Sequence, residues 1–415
     1  MPPHRLPKGP EHAAQGGDPK VTSRLIALGL GAALLLPALA AAQQQPVPGW
    51  QQGRPGGMAG SSLAPNAPKL TATPRDQVPV DKLTLPQGFK AEIYAHGMPG
   101  ARMMALGSGG TLFIGTRTIG RVYAVKDGKV HTIASGLPQP NGVAFKDGAL
   151  YVIAINRVLR FDGIEGKLDN PGTPTDLTAA FDLPKDEHHG WKFASFGPDG
   201  KLYMQVGAPC NICKVEEDTH AVLLRFNPDG SGREVVARGV RNSVGMAFHP
   251  TTGQLWFTNN GRDWAGEDQP QDTLAVVQRT GEHFGFPWCH MGSMPDPEIT
   301  GRACSEFAQP ALLLGPHVAA LGMRFYTGGM FPAEYRNSIF IARHGSWNRT
   351  QRSGYDVVNI TFDAQGKPQM RPFLGGLLQG NNFLGRPTDV QMLPDGSLLV
   401  SDEQAGAIYR ITYGR

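Results

Sequence analysis

The sequence predicts an all-β protein, and within that class a six-bladed β-propeller, on three observations. Glycine (54) and proline (35) are abundant while only 18% of the 415 residues are charged. That composition suits short strands joined by tight turns and is poor material for long helices. Second, a unit of apolar strand, tight turn and apolar strand recurs six times in the part of the chain after residue 82. Third, the turn glycines Gly110, Gly148, Gly200 and Gly253 fall at intervals of 38, 52 and 53 by subtraction. Self-similarity at this spacing, with three or four strands per copy, is the signature of a propeller whose later blades carry insertions. A sandwich or barrel would hold the same strands without explaining the match between copies.

The elements follow in chain order. Residues 1–42 read as an export signal with an atypically long extension. Arg24 precedes an apolar stretch from Leu25 to about Leu39, and Ala40-Ala41-Ala42 form a small-residue cleavage site ahead of Gln43. Val21 is the expected start of translation. The stretch is short for a membrane span and contains Pro37. No cysteine follows the cleavage site, so no membrane anchor is expected after cleavage, and the mature protein is expected to be periplasmic or secreted. Residues 43–82, rich in Pro, Gly, Gln and Ser, read as a disordered linker. The propeller occupies 83–415. With a net charge of +4 and no dense Lys/Arg run, nucleic acid is not an expected partner.

The six copies are "MALGSGGTLFIGT", "GVAFKDGALYVIA", "SFGPDGKLYMQVG", "AFHPTTGQLWFTN", "RFYTGGMFPAEYRNSIFIA" and "VQMLPDGSLLVSD". A third strand usually follows, as in "RVYAVK" and "IYRITY". In a blade, the turn between strands A and B lies on one face, while the segments before A and after B lie on the other. Before A stand Asn141, His189, Arg241-Asn242, His317 and Arg386 to Asp389; after B stand Arg117, Asn156, Asn259-Asn260, Arg343-His344 and Asp402. Chemically capable residues therefore gather on one face, around the central channel. Arg117, Arg241, Arg343 and Arg386, with Arg324 and Arg349 nearby, suit a multiply anionic ligand, because guanidinium forks pair carboxylates bidentately. His189 beside them suits a proton acceptor. "TNNGRDWAGEDQPQD" adds Asn260, Asp263, Glu267, Asp268 and Asp272, oxygen ligands for a hard cation such as Ca²⁺ or simply a solvated acidic loop. Four cysteines in an exported chain suggest Cys210–Cys213 and Cys289–Cys304 bridges, although three pairings are possible and a redox or metal role is the alternative.

The stretches "HHGWKFASFGPDGKLYMQVGAPCNIC", "RGVRNSVGMAFHPTTGQLWFTNNGRD", "EHFGFPWC", "ARHGSWNR" and "GRPTDVQMLPDGSLLVSDEQAGAIYRI" resemble the glucose/sorbosone dehydrogenase family. Members are six-bladed propellers that oxidise sugars with pyrroloquinoline quinone (PQQ), and the likeness is nearest to the sorbosone dehydrogenases. The resemblance runs from about Leu83 to Arg415. It implies His189 as catalytic base, with Arg241 and Asn242 against the quinone. It also implies Ca²⁺ held at Asn260, Gly261 and Arg262 through one side-chain amide and two carbonyls. Arg386 and Asp402 match an arginine and an aspartate near the cofactor. Thr327 and Thr388 depart from soluble glucose dehydrogenase, where a lysine and a second arginine are expected; Arg343, His344 and Arg349 are candidates to replace those charges. No Cys-x-x-Cys-His haem segment is present, so the electron acceptor, a cytochrome or the quinone pool, is expected to be a separate molecule. The rival readings are a propeller lactonase or hydrolase with a channel metal, and a binding module without catalysis.

Overall fold

In the computed structural model, which describes residues 47–414, six four-stranded antiparallel sheets follow one another in order. The expected export signal at 1–42 lies outside these residues. The blades occupy 104–134, 142–176, 194–238, 246–316, 320–374 and 387–413, and each is laid down A-B-C-D from the channel outwards. The sixth blade lacks a D strand of its own. Phe89–Ala95 supplies it, antiparallel to Ala407–Tyr413 with Phe89 opposite Tyr413, so the ring is closed by the segment that leads into the first blade.

Position within a blade explains the sequence pattern. The B strands Ala149–Ala154, Leu202–Val206 and Leu398–Asp402 are buried throughout, because neighbouring blades cover both of their faces. Outer strands such as Lys129–Ala134 keep exposed polar positions, which blunts an otherwise open sheet edge. Blades are held to each other by apolar contact: Leu112, Ile114 and Tyr123 of the first pack with Leu399 and Ile408 of the sixth. Each such buried side chain contributes about 1.5–3 kcal/mol. The A–B turns need a left-handed residue, and Gly110, Gly148, Gly200, Gly253 and Gly396 supply it with φ of +84°, +77°, +74°, +69° and +84°.

Both expected disulfides are formed, Cys210–Cys213 and Cys289–Cys304. The second closes an insertion in the fourth blade. Part of that insertion, Glu282–His283, adds a parallel fifth strand to the third blade.

Residues 47–82 depart from the expectation of a disordered linker. They carry four single-turn 3-10 helices and travel across the channel face. Trp264 donates its indole N–H to the Trp50 carbonyl at 2.6 Å, and Arg352 donates to Asn66 at 3.3 Å. Thr73 reaches the Ala405 carbonyl at 3.4 Å, and Val78 is buried against the fifth and sixth blades. The anchors are single aromatic, amide and carbonyl groups at irregular spacing, so no apolar period marks them in the sequence.

Candidate active site

The loops before strand A and after strand B bring the polar residues of several blades to one face, as the repeat predicts. His189 sits in the loop leading to Ala194–Phe196 and is only 6% exposed. Its φ is +50°, a strained value for a residue with a side chain, and the flanking strand leaves little room: a Cβ on Gly207 would lie 2.5 Å from the His189 Cβ. Gln139 and His317, in the equivalent loops of two other blades, share the left-handed turn with φ of +48° and +52°. His189 Nδ1 lies 2.9 Å from the Ala208 carbonyl, which can only accept, so Nδ1 carries the hydrogen and Nε2 is the basic nitrogen. Burial, then His188, then Arg241 push the His189 pKa well below the ordinary histidine value. The ring is therefore neutral and able to accept a proton at neutral pH. His188 packs on it with centroids 4.1 Å apart, and its own pKa falls to about 4 through burial and the charges of Arg241 and Arg117.

Arg241, 3% exposed, is fixed from every side. Nε donates to the Asn211 carbonyl at 2.8 Å, one terminal nitrogen to Gly261 O at 2.7 Å, and the other to Asn211 Oδ1 at 2.8 Å and Asp263 at 3.2 Å. What it presents to a ligand is its charge. Asn242 and Asn260 sit together, the Asn260 N–H donating to the Asn242 carbonyl at 3.0 Å. Across the channel Arg117 lies 3.6 Å over the Trp191 ring, and burial followed by Arg102 lowers its pKa to about 10. Arg386 lies beside the Gly345 carbonyl, at 3.4 Å. Glu403 takes Arg102 at 2.9 Å and His344 at 2.7 Å. Burial alone would raise the Glu403 pKa; Arg102, His344 and Arg386 overcome it and hold the carboxylate ionised.

The structure therefore assembles His189, Arg241, Asn242, Asn260, Gly261, Arg117, His344 and Arg386 on one face, and it places the other expected residues elsewhere. Arg343 pairs with Asp356 across adjacent strands at 2.5 Å and donates to the Leu314 carbonyl, so its charge is used within the blade stack. Arg349 clamps two rim loops through the Glu267 carbonyl at 2.7 Å and Asp268 at 2.5 Å. Asp402 is wholly buried and accepts from the Arg386, Gln404 and Ala405 backbone and from the Tyr409 hydroxyl, which makes it a turn organiser. Arg262 turns into the protein, paired with Asp296 at 2.6 Å and Glu298 at 2.5 Å, leaving only its backbone to face a metal. Arg324 is paired with Asp389 at 3.4 Å inside the channel. Thr327 follows strand A of the fifth blade and so lies on the A–B turn face, away from the site; it is no counterpart of a cofactor-binding lysine. The acidic loop is also committed: Asp272 accepts from Gly261 N and Ala319 N, Glu267 from Thr350, and Asp268 from Arg349. Among the described residues no group of three His, Cys, Asp or Glu side chains converges as a metal cage.

Several buried polar atoms on this face have no partner: the donors Arg386 Nε and Trp191 Nε1, the acceptors Asn242 Oδ1 and Asn260 Oδ1, and His188 Nε2. Buried polar atoms are ordinarily satisfied, so such a set marks a place for a ligand that both donates and accepts. The donor set fits PQQ, a tricarboxylate quinone that requires cationic and N–H partners. It fits Ca²⁺ in part: Asn260 Oδ1 and the Asn260 and Gly261 carbonyls are hard oxygen donors, although both carbonyls already accept from Arg241.

Residues 214–414 match the TrAA12-like family model. A protein of Borreliella burgdorferi without assigned function is 32% identical over 367 residues, covering 85% of this chain and 94% of its own. The chain belongs to the family of TrAA12-like, PQQ-dependent sugar dehydrogenases. A PQQ-dependent sugar dehydrogenase of Hypocrea jecorina is 24% identical over 222 residues, 42% of this chain and 47% of its own length. In fold, a Trichoderma reesei member of Carbohydrate-Active Enzymes family AA12 superimposes with a TM-score of 0.66 at 18% identity, over 85% of this chain and all of that one. No helix among the described residues is long and apolar enough to cross a membrane.

Arg102, Trp191, Asn211 and Glu403 are part of this face and were not expected there. Arg102 stands two residues before strand A of the first blade, in the register used to place Asn141 and His189, so the repeat carried its signal. Asn211 gave none, since its role depends on a disulfide loop folding back over Arg241.

Proposed function

We propose that the protein is a PQQ- and Ca²⁺-dependent dehydrogenase of aldose-type sugars or sugar aldehydes, with His189 as general base. The observation that carries this reading is a neutral, immobilised His189 beside unpartnered donors and acceptors on an arginine-rich face. PQQ, when bound, supplies a two-electron, hydride-accepting quinone. The chain's own residues do the rest. Arg386, Arg117, Trp191 and Asn242 would receive the carboxylates and carbonyls, and the Asn260 side chain with the Gly261 and Arg262 carbonyls would hold Ca²⁺. The fixed charge of Arg241 favours negative charge developing near it and keeps His189 deprotonated. His189 Nε2 takes the proton of the sugar hydroxyl, and Nδ1, locked on Ala208, keeps the ring in the tautomer that can do so. Electrons then leave to a separate acceptor in the periplasm or outside the cell.

The test is to titrate the purified protein with PQQ and Ca²⁺ by absorbance and then assay dye reduction across a panel of aldoses. Saturable PQQ binding that weakens on chelation, with sugar-dependent turnover, is the expected result. Failure to bind PQQ at any Ca²⁺ concentration overturns it.

A further inference from the structure

The best-connected side chain on this face outside the ligand-facing set is Asn211, between the two halves of the Cys210–Cys213 bridge. It is fully buried and uses every polar atom it has. Its carbonyl accepts Arg241 Nε at 2.8 Å, and its Oδ1 accepts the Arg241 terminal nitrogen at 2.8 Å and Asp263 N at 2.7 Å. Its Nδ2 donates to the Gln52 carbonyl at 2.6 Å, and its N–H to Gln52 Oε1 at 3.0 Å. Two parallel acceptors from one residue set the plane of a guanidinium as well as its distance. The short bridge limits the backbone motion that would spoil the pair.

The far side of Asn211 is held by the segment that precedes the propeller. Gly49 passes so close to His188 that a Cβ there would strike Nδ1, and Trp50 meets Trp347 edge-on at 5.7 Å. Arg54 lies 5.0 Å over Trp264. Residues 49–54 are thus packed between the histidine pair and the Trp264–Trp347 corner, with Gln52 directed at Asn211. We propose that Asn211 is the positioning residue for Arg241, and that residues 49–54 complete the site by holding Asn211 from above. This rests on the reading of Arg241 given above. Without the Asn211 side chain, the terminal nitrogen that it holds would be left with Asp263 alone, at 3.2 Å, and the plane of the guanidinium would be less closely set.

The experiment is a double-mutant cycle on the full chain with Asn211→Leu and Arg241→Ala, together with Asn211→Asp and Gln52→Ala. PQQ affinity, kcat, KM and Tm are measured for each. Misplacement of a fixed group costs up to roughly 100-fold in rate. Asn211→Leu is therefore expected to lose about 10- to 100-fold in kcat with KM within about threefold. In the Arg241→Ala background the same change is expected to cost almost nothing further, for rate and for PQQ affinity alike. Asn211→Asp keeps both acceptors for Arg241 but replaces the Nδ2 donor to the Gln52 carbonyl by an acceptor, so it should recover only part of the loss; Gln52→Ala should lose less than Asn211→Leu. Additive effects of Asn211→Leu and Arg241→Ala overturn the proposal. A parent chain that binds PQQ and turns over sugar while the cycle is additive sinks this inference alone. A parent that does neither sinks the dehydrogenase reading itself.

Discussion

Replacing His189 by asparagine separates its chemistry from its packing. Asparagine is the non-glycine residue best suited to φ of +50°, so the backbone is not asked to change. The fold loses the Nδ1–Ala208 hydrogen bond, about 1 kcal/mol, and part of a buried ring, so the variant should remain folded. The reaction loses its proton acceptor, which costs about 10²–10⁴-fold, equivalent to about 3–5 kcal/mol of barrier. His188→Asn should cost far less, because His188 reaches the chemistry only by packing against His189. Steady-state turnover at saturating PQQ, with bound cofactor checked by absorbance, provides the comparison. The pH profile gives a second test from the same geometry. Burial and the charge of Arg241 depress the His189 pKa, so the acid limb of kcat/KM in the parent should lie well below pH 6.5. Activity in His189→Asn equal to the parent, or an acid limb at or above the ordinary histidine value, would show that another group accepts the proton.

The same arguments make further predictions. Asp402→Asn should lower Tm, through weakened bonds to three backbone N–H groups and Tyr409, while leaving the affinity for PQQ nearly unchanged in the folded fraction. Lys192 is 1% exposed with only the Gly190 carbonyl, at 2.5 Å, as partner, and burial lowers its pKa to about 7. Lys192→Met should therefore raise the Tm of the ligand-free protein at pH 6, by about 1–4 kcal/mol of added stability. His188 and His344 stay neutral in the fold down to about pH 4 and 3, chiefly because they are buried, whereas the unfolded chain protonates them near 6.5. Protons thus favour the unfolded state, and stability should fall as pH drops through the window from about 6.5 to 4. The limit is about 1.4 kcal/mol per unit for each group, and urea titrations at several pH values measure it.

The blade count, the face on which the polar loop residues gather and both disulfides were legible in the sequence because a propeller repeats its physics. Five of the six blades use a left-handed turn glycine between strands A and B, the fifth using Asn337 instead, and each has an apolar B strand. The rest depended on partners far away in the chain. Arg343 satisfies the face rule and is still not at the site, because Asp356 across the next strand claims it. Asp402 looks like a ligand in sequence and is consumed by its own turn. The contribution of Phe89–Ala95 to the sixth blade, and the path of residues 47–82 over the site, are relations between distant segments that leave no local period.

That borrowed outer strand has a consequence for how the protein is made and lost. Phe89 and Tyr413, opposite each other in the sheet, are 324 positions apart by subtraction, while contacts within the other blades are comparatively local. Local contacts form first and long closures form slowly, so five blades should be able to order before the ring shuts. Opening should run in reverse, with release of Phe89–Ala95 from Ala407–Tyr413 as the early event. The lifetime of the folded ring would then be governed by one antiparallel seam. A covalent tie across it, such as between Ala91 and Ile411, would lengthen that lifetime more than an equal stabilisation placed inside any single blade.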